Sequence, residues 1–144
     1  MTRPTRGNVV TRAFIDSNVL VYAFTTDRRA ARARQLLQEQ PTISVQSLNE
    51  FSNVTRRKFG KDWKWLAEAL AAIRVFCPSI LPITLQTHDA ALRVAERHNY
   101  AIFDALIVAS ALEAGSDTLW SEDMQHGMKI DGRLRIANPF RTEN

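Results

Sequence analysis

Apolar positions along this chain switch between two spacings. Ala13-Phe14-Ile15 closes a run over residues 9–16 that stops at Asp16, the pattern of a short buried strand ending on a carboxylate. Residues 19–24 and 28–38 follow with helical spacing, the second through Ala30, Ala31, Ala33, Leu36 and Leu37, until Pro41 stops it. Residues 42–45 predict a second strand, and from Ser47 the positions Leu48, Phe51, Val54 and Phe59 resume a helical period. Residues 62–76 predict a helix with Trp63, Leu66, Leu70, Ile73 and Phe76 on one side, ended by Pro78. Residues 80–85 predict a third strand and 87–97 an amphipathic helix. Residues 102–114 are almost wholly apolar, a helix that has to be buried and that closes at Gly115. Thr118-Leu119-Trp120 predicts a fourth strand and residues 134–137 a fifth.

Strands alternating with helices imply an α/β class: a mainly parallel sheet of four to five strands, covered by helices on both faces, with right-handed crossovers. With 144 residues, 45% of them hydrophobic, the chain supports one core. The expected organisation is a flexible arm over residues 1–12, a single domain over 13–140 and a short tail over 141–144. No apolar stretch reaches the roughly 18 residues a membrane helix requires, and the Arg-bearing N-terminus lacks the apolar segment of a signal peptide. Cys77 is the single cysteine, which excludes an internal disulfide and fits a buried, inert thiol in a cytoplasmic protein. The five glycines form no phosphate-binding motif, which disfavours a nucleotide-cofactor enzyme.

Charge sharpens the picture. The first 64 residues hold 12 Lys/Arg against 5 Asp/Glu, and the remainder 7 against 10, within a net charge of +4. A basic stretch beside an acidic one suits a protein that attracts a polyanion while holding cations among carboxylates. In an open parallel sheet, ligands bind beyond the carboxyl ends of the strands. Four acids fall on that edge: Asp16 at the end of the first strand, Glu50 early in the helix leaving the second, Asp104 in the first turn of the apolar helix, and Asp123 just past the fourth strand. Each also has an ordinary reading, Asp16 and Asp123 as helix or turn caps, Asp104 as a helix-dipole partner and Glu50 as a solvated side chain. Glu122 is an alternative to Asp123. Four converging carboxylates repel one another unless divalent cations neutralise them, and an all-oxygen set favours Mg2+ or Mn2+. His88, His98 and His126 lack metal-ligand spacing. Hydrolysis of a phosphodiester by an activated water is the matching chemistry.

The runs Phe14-Ile15-Asp16-Ser17-Asn18-Val19-Leu20, Asn49-Glu50-Phe51, Phe103-Asp104-Ala105-Leu106-Ile107 and Leu119-Trp120-Ser121-Glu122-Asp123-Met124 carry a resemblance. Taken together, from about residue 13 to 140, the chain resembles a PIN domain, closest in order and spacing to the VapC-type toxins of toxin–antitoxin pairs. The resemblance implies a PIN-like three-layer α/β/α sandwich. It implies an endoribonuclease using Mg2+ or Mn2+, with Asp16, Glu50, Asp104 and Asp123 as the acidic set and Asn18 and Ser121 in supporting positions. Serine at 121 is a mild departure from the family's frequent threonine and keeps the hydroxyl. A homodimer and a cognate VapB-type antitoxin are the implied partners, beside the RNA substrate. A non-catalytic PIN-fold binding module is the first alternative, but none of the four acids is lost; a PIN-type nuclease acting on DNA is the second.

Arg56, Arg57 and Lys58, with Lys61, continue the helix that carries Glu50 and are candidates for guiding an RNA backbone. Trp63 shares its spacing with Leu66 and Leu70 and is read as part of the helix's apolar side; Trp65 is read as an interface residue, with base stacking as the alternative for both. His126 is read as a surface or supporting residue.

Overall fold

The computed structural model describes residues 12–141. In chain order they form β1 (Ala13–Ile15), α1 (Ser17–Tyr22), α2 (Ala30–Gln38), β2 (Ile43–Ser44), α3 (Val45–Arg57), α4 (Trp63–Phe76), β3 (Ile80–Leu81), α5 (Leu85–His98), α6 (Ile102–Glu113), β4 (Thr118–Trp120), β5 (Lys129–Ile130) and β6 (Leu134–Ala137). A four-stranded sheet runs β1-β4-β6-β5, parallel except for β5, and a parallel pair joins β2 to β3. A parallel bridge between Phe14 and Thr42 links the two sheets. Ile15 N–H donates to the Thr42 carbonyl at 3.2 Å and Thr42 N–H to the Ala13 carbonyl at 2.9 Å. This places β1 in the middle of the whole array.

Side chains alternate across a strand, so adjacent residues of β1 enter different cores. Phe14, in register with Leu119 and Ile136, belongs to the core that also holds Ala91 and Val94 of α5 and Ala105, Ile107 and Val108 of α6. Ile15 faces the other way, into the core that holds Val19 and Leu20 of α1, Leu36 of α2, Phe51 of α3 and Ile73 of α4. The result is the expected three-layer α/β/α sandwich. Helix α6 is buried on nearly every side, from Ala105 through Ala111, as its continuous apolar sequence requires. Cys77 is buried, and burial pushes its thiol up to about 12. Among the described residues no helix is long and apolar enough to cross a membrane.

Local chemistry moved several boundaries. The expected third strand, residues 80–85, ends at Leu81, because Pro82 cannot extend the ladder and Thr84 and Thr87 form a reciprocal cap that starts α5. Val45 belongs to α3 rather than to β2, since Ser44 and Ser47 make the same kind of cap one residue earlier. Phe59 lies beyond α3, exposed before Gly60, whose positive φ of 62° turns the chain. The reading of Trp63 as apolar core is corrected: it is 68% exposed, while Leu66, Ala69 and Ile73 form the buried side of α4. Trp65, expected at an interface, packs instead in the same core, 6.3 Å from the Phe51 ring and 6.0 Å from Phe24. Strand β5 went unseen in the sequence, although Asp131-Gly132 is a hairpin signal; both residues take positive φ, 53° and 68°. The expected arm lies outside the described residues except for Arg12, as does the tail beyond Arg141.

Truncating Ile107, fully buried in α6, is expected to cost about 2–5 kcal/mol as Ile107→Ala. Val75→Ala on the exposed side of α4 should stay within about 0.5 kcal/mol. Urea denaturation of both variants checks the assignment of the buried faces.

Candidate active site

Asp16 follows β1 directly, and its N–H donates to the Trp120 carbonyl at 2.9 Å, extending the β1–β4 ladder by one bond. The backbone is thereby pinned at the carboxyl edge of the sheet. Asp16 also caps α1: its Oδ1 accepts from Ser17 N–H at 2.7 Å. Oδ2 accepts from the Ser121 hydroxyl at 2.8 Å and from the Asn18 amide at 3.4 Å. The side chain is only 4% exposed. Burial raises its pKa to about 7; the Ser121 and Ser17 hydrogen bonds work against this rise, and the charges of Glu50 and Asp104 add to it. The capping reading of Asp16 is met, by a carboxylate that is also buried beside other acids.

Glu50 lies in the second turn of α3, which starts immediately after β2. Its Oε1 accepts from the Ser17 hydroxyl at 2.8 Å and its Oε2 from the Gln46 amide at 3.0 Å, one helical turn earlier. Asp104 stands in the first turn of α6. No hydrogen bond to its carboxylate is found among the described residues, and its pKa is raised by burial first, then by Glu50 and Asp123. Asp123, exposed in the loop after β4, accepts from the Asn18 amide at 3.2 Å. The Asn18 amide nitrogen thus lies within hydrogen-bonding reach of Asp16 and Asp123, and its oxygen accepts from Glu122 N–H at 3.3 Å. Ser121, fully buried, donates to Asp16 and accepts from Met124 N–H at 3.3 Å, which fixes the turn that carries Asp123.

Glu122 is turned away from this group. Its Oε1 accepts from the Tyr22 hydroxyl at 2.7 Å, and its Oε2 lies 2.7 Å from Arg29 Nε, a close ionic contact in which the N–H is not aligned on the oxygen. Burial first and the Glu122 bond second push the Tyr22 phenol up to about 12. Arg29 is further tied to Asp27 at 3.0 Å. Among the described residues, no Lys or Arg pairs with Asp16, Glu50, Asp104 or Asp123. Among the described residues their negative charge thus has no basic partner, in a chain of net charge +4.

A divalent cation suits this donor set by charge and by its all-oxygen chemistry. The geometry is looser than a finished cage: among the described residues no three acidic, histidine or cysteine side chains are drawn together tightly enough to hold an ion as they stand. Ser17 and Asn18 instead tie the carboxylates in pairs. Ser17 and Gln46 were not singled out in the sequence; the Gln46–Glu50 spacing of one helical turn was the available signal, and Ser17 was visible as the residue between Asp16 and Asn18. Arg56 and Arg57 occupy the last turn of α3, with Lys58 as its C-cap and Lys61 just beyond, on the helix that carries Glu50. The His126 Nδ1 accepts from Asn138 N–H at 3.0 Å, a structural bond.

Asp16 keeps its proton to about 7 in the folded chain but releases it near the ordinary 3.8 when unfolded. The folded state therefore binds more protons in that window, and metal-free protein should lose stability as pH rises through it, by up to about 4 kcal/mol. Asp16→Asn should flatten this slope and be the more stable protein at pH 8. Urea midpoints measured in chelator from pH 4 to 8 check it, and a parallel slope in the variant would assign the dependence elsewhere.

The family pattern described as PIN domain matches residues 13–127. No curated protein sequence matches the chain significantly. Among solved structures, a chain of a toxin–antitoxin complex from Klebsiella pneumoniae superposes with a TM-score of 0.68 at 20% identity, over 90% of this chain and 99% of that one. VapC20 of Mycobacterium tuberculosis, a toxin that cleaves the sarcin–ricin loop, gives 0.64 at 22% identity, over 77% and 89%. VapBC2 of Rickettsia felis, bound to a DNA fragment from its promoter, gives 0.64 at 18% identity, over 89% and 98%. At these identities the likeness is one of fold. The family pattern spans most of the chain, including Asp16, Glu50, Asp104 and Asp123, and on that match the chain belongs to the PIN domain family.

Proposed function

We propose that this chain is a Mg2+- or Mn2+-dependent endoribonuclease, the toxin of a toxin–antitoxin pair. One observation carries the reading: four carboxylates from separate parts of the chain gather at one sheet edge, Asp16, Glu50 and Asp123 bridged by Ser17 and Asn18 and Asp104 close enough to feel their charge, with no basic side chain among the described residues to neutralise them. An uncompensated acidic cluster is costly to fold, so its natural complement is a cation.

A divalent ion held by Asp16, Glu50, Asp104 and Asp123 would supply an activated water at neutral pH and would stabilise charge on the leaving oxygen of a phosphodiester. The protein's own contribution is position. Ser121 and the Ser17 N–H fix both oxygens of Asp16. Asn18 ties Asp16 to the loop of Asp123, and the Ser17 hydroxyl ties Glu50 to α1. Glu122, held by Tyr22 and Arg29, anchors the same loop from outside and keeps the Arg29 charge away from the acids. Arg56, Arg57, Lys58 and Lys61 draw the RNA backbone toward the edge. The structural relatives from K. pneumoniae and R. felis support a cognate VapB-type antitoxin as partner, and the activity stated for VapC20 supports RNA as substrate. A homodimer and a cytoplasmic location belong to the same reading.

Purified, antitoxin-free protein is expected to cut total cellular RNA into discrete products with Mg2+ or Mn2+, and both EDTA and Asp104→Asn are expected to abolish them. Folded protein that neither cuts RNA nor binds either metal by calorimetry would overturn the reading in favour of a binding module, and cleavage of DNA alone would redirect it to a DNA nuclease. Asn18→Ala and Ser121→Ala should weaken metal affinity roughly 10- to 100-fold with the fold retained, because they orient ligands rather than supply them. Titration calorimetry reads the loss directly.

A further inference from the structure

Trp63 is the largest apolar side chain left open on the described surface, and nothing in the core explains it. It is the first residue of α4, whose N-cap, Asp62, accepts from Trp65 N–H at 2.8 Å and fixes the start of the helix. Two positions on, Trp65 is packed among Phe24 and Phe51. The Arg56 guanidinium carbon sits 3.8 Å from the centroid of the Trp63 ring, and Arg56 Nη1 donates to the Lys61 carbonyl at 2.9 Å, so the arginine is held in place before anything binds. The two side chains line an open pocket of about 380 Å3 together with Ser52, Asn53 and Arg57.

The pocket is built on the acidic site's own helix. Asn53 and Arg57 stand three and seven positions after Glu50 and share its face of α3. At the helical rise, Arg57 lies about 10 Å from Glu50 along the axis. Arg56 and Arg57 line the pocket with positive charge, Lys58, Lys61 and Lys64 are basic neighbours in sequence, and the nearest acid in sequence, Asp62, is engaged as a cap. An exposed aromatic ring, a guanidinium already stacked on it and a cationic border are the components of single-strand recognition, in which the ring stacks a base and the cations follow the backbone. The Asn53 amide offers a donor and an acceptor to a base edge.

We propose that Trp63, Arg56, Asn53 and Arg57 form a nucleotide subsite that takes one unpaired RNA base flanking the cleaved phosphodiester. The assignment rests on the ribonuclease reading above and adds to it the feature selected: an unstacked base in a single-stranded region, read by shape and stacking.

The test uses Asp104→Asn protein with Mg2+, so that RNA is not consumed, and follows fluorescence anisotropy of a short labelled single-stranded RNA of mixed sequence. Adding Trp63→Ala is expected to weaken binding roughly tenfold, and Trp63→Phe to restore most of it. Against the same chain with its bases removed, the parent and the Trp63→Ala variant should bind alike, a result that a merely structural role for the indole would not produce. The substitution is at the surface, and unchanged circular dichroism and urea midpoint would establish that the fold is intact. Equal affinity of the parent and Trp63→Ala for the mixed RNA overturns the subsite, as does an equal loss on the base-free chain. Loss of self-association by light scattering with RNA affinity unchanged assigns Trp63 to a protein contact and overturns it as well. If unmutated protein still cleaves RNA in any of these cases, only the subsite falls; if it neither binds nor cleaves RNA, both readings fall together.

Discussion

A carboxylate placed where water cannot reach it sets the terms for the rest of this structure. Asp16 follows the central strand β1 directly and is almost fully buried, so ionising it has a desolvation cost that the neighbouring groups offset only in part. The groups that do so come from two directions. Ser17 and Asn18 belong to the helix that Asp16 itself caps, and Ser121 arrives from the end of β4, the strand paired with β1. Asp16 can occupy this position only if β1 and β4 are in register, because Asp16 N–H and the Trp120 carbonyl close the ladder between them. Strand pairing and site assembly are thus one event, and a slip of a single residue would turn Ser121 to the wrong face.

Much of this was legible in the sequence because the two kinds of information coincide at strand ends. Ala13-Phe14-Ile15 and Thr118-Leu119-Trp120 are short apolar runs that stop at polar residues, so the strands and the edge where the acids gather were found together. The continuous apolar stretch of α6 announced its burial, and Asp104 at its first turn inherited the same edge from the antiparallel course of a crossover helix. What periodicity could not reveal was side-chain competition at element starts. Ser44 and Ser47, and Thr84 and Thr87, satisfy the first N–H groups of α3 and α5 and so decide where a β-rich run becomes a helix.

Trp63 shows the opposite limit. Its spacing with Leu66 and Leu70 is helical, yet α4 buries Leu66, Ala69 and Ile73, a stripe rotated away from Trp63. At the first position of a helix the side chain has no preceding turn to pack against, so spacing alone does not place it on the buried stripe. Glu122 and Asp123 make a similar pair, adjacent acids whose roles the sequence left open. The partners separate them: Tyr22 and Arg29 hold Glu122 outward, while Asn18 reaches Asp123.

The hydrogen bonds among the acids also explain how such a cluster is accommodated in the fold. Two bridges of different character are responsible: the Ser17 hydroxyl donates to Glu50 while its N–H serves Asp16, and the Asn18 amide spans Asp16 and Asp123. Each bridge supplies donors where carboxylates would otherwise face one another, which lowers the repulsion without neutralising the charge. Asp104 is left outside this arrangement, half-buried, with no donor among the described residues and with Glu50 and Asp123 as its charged neighbours. Its ionised form is thus held without the donors that serve the other three acids, and under the proposed reading a bound cation would take the place of those donors.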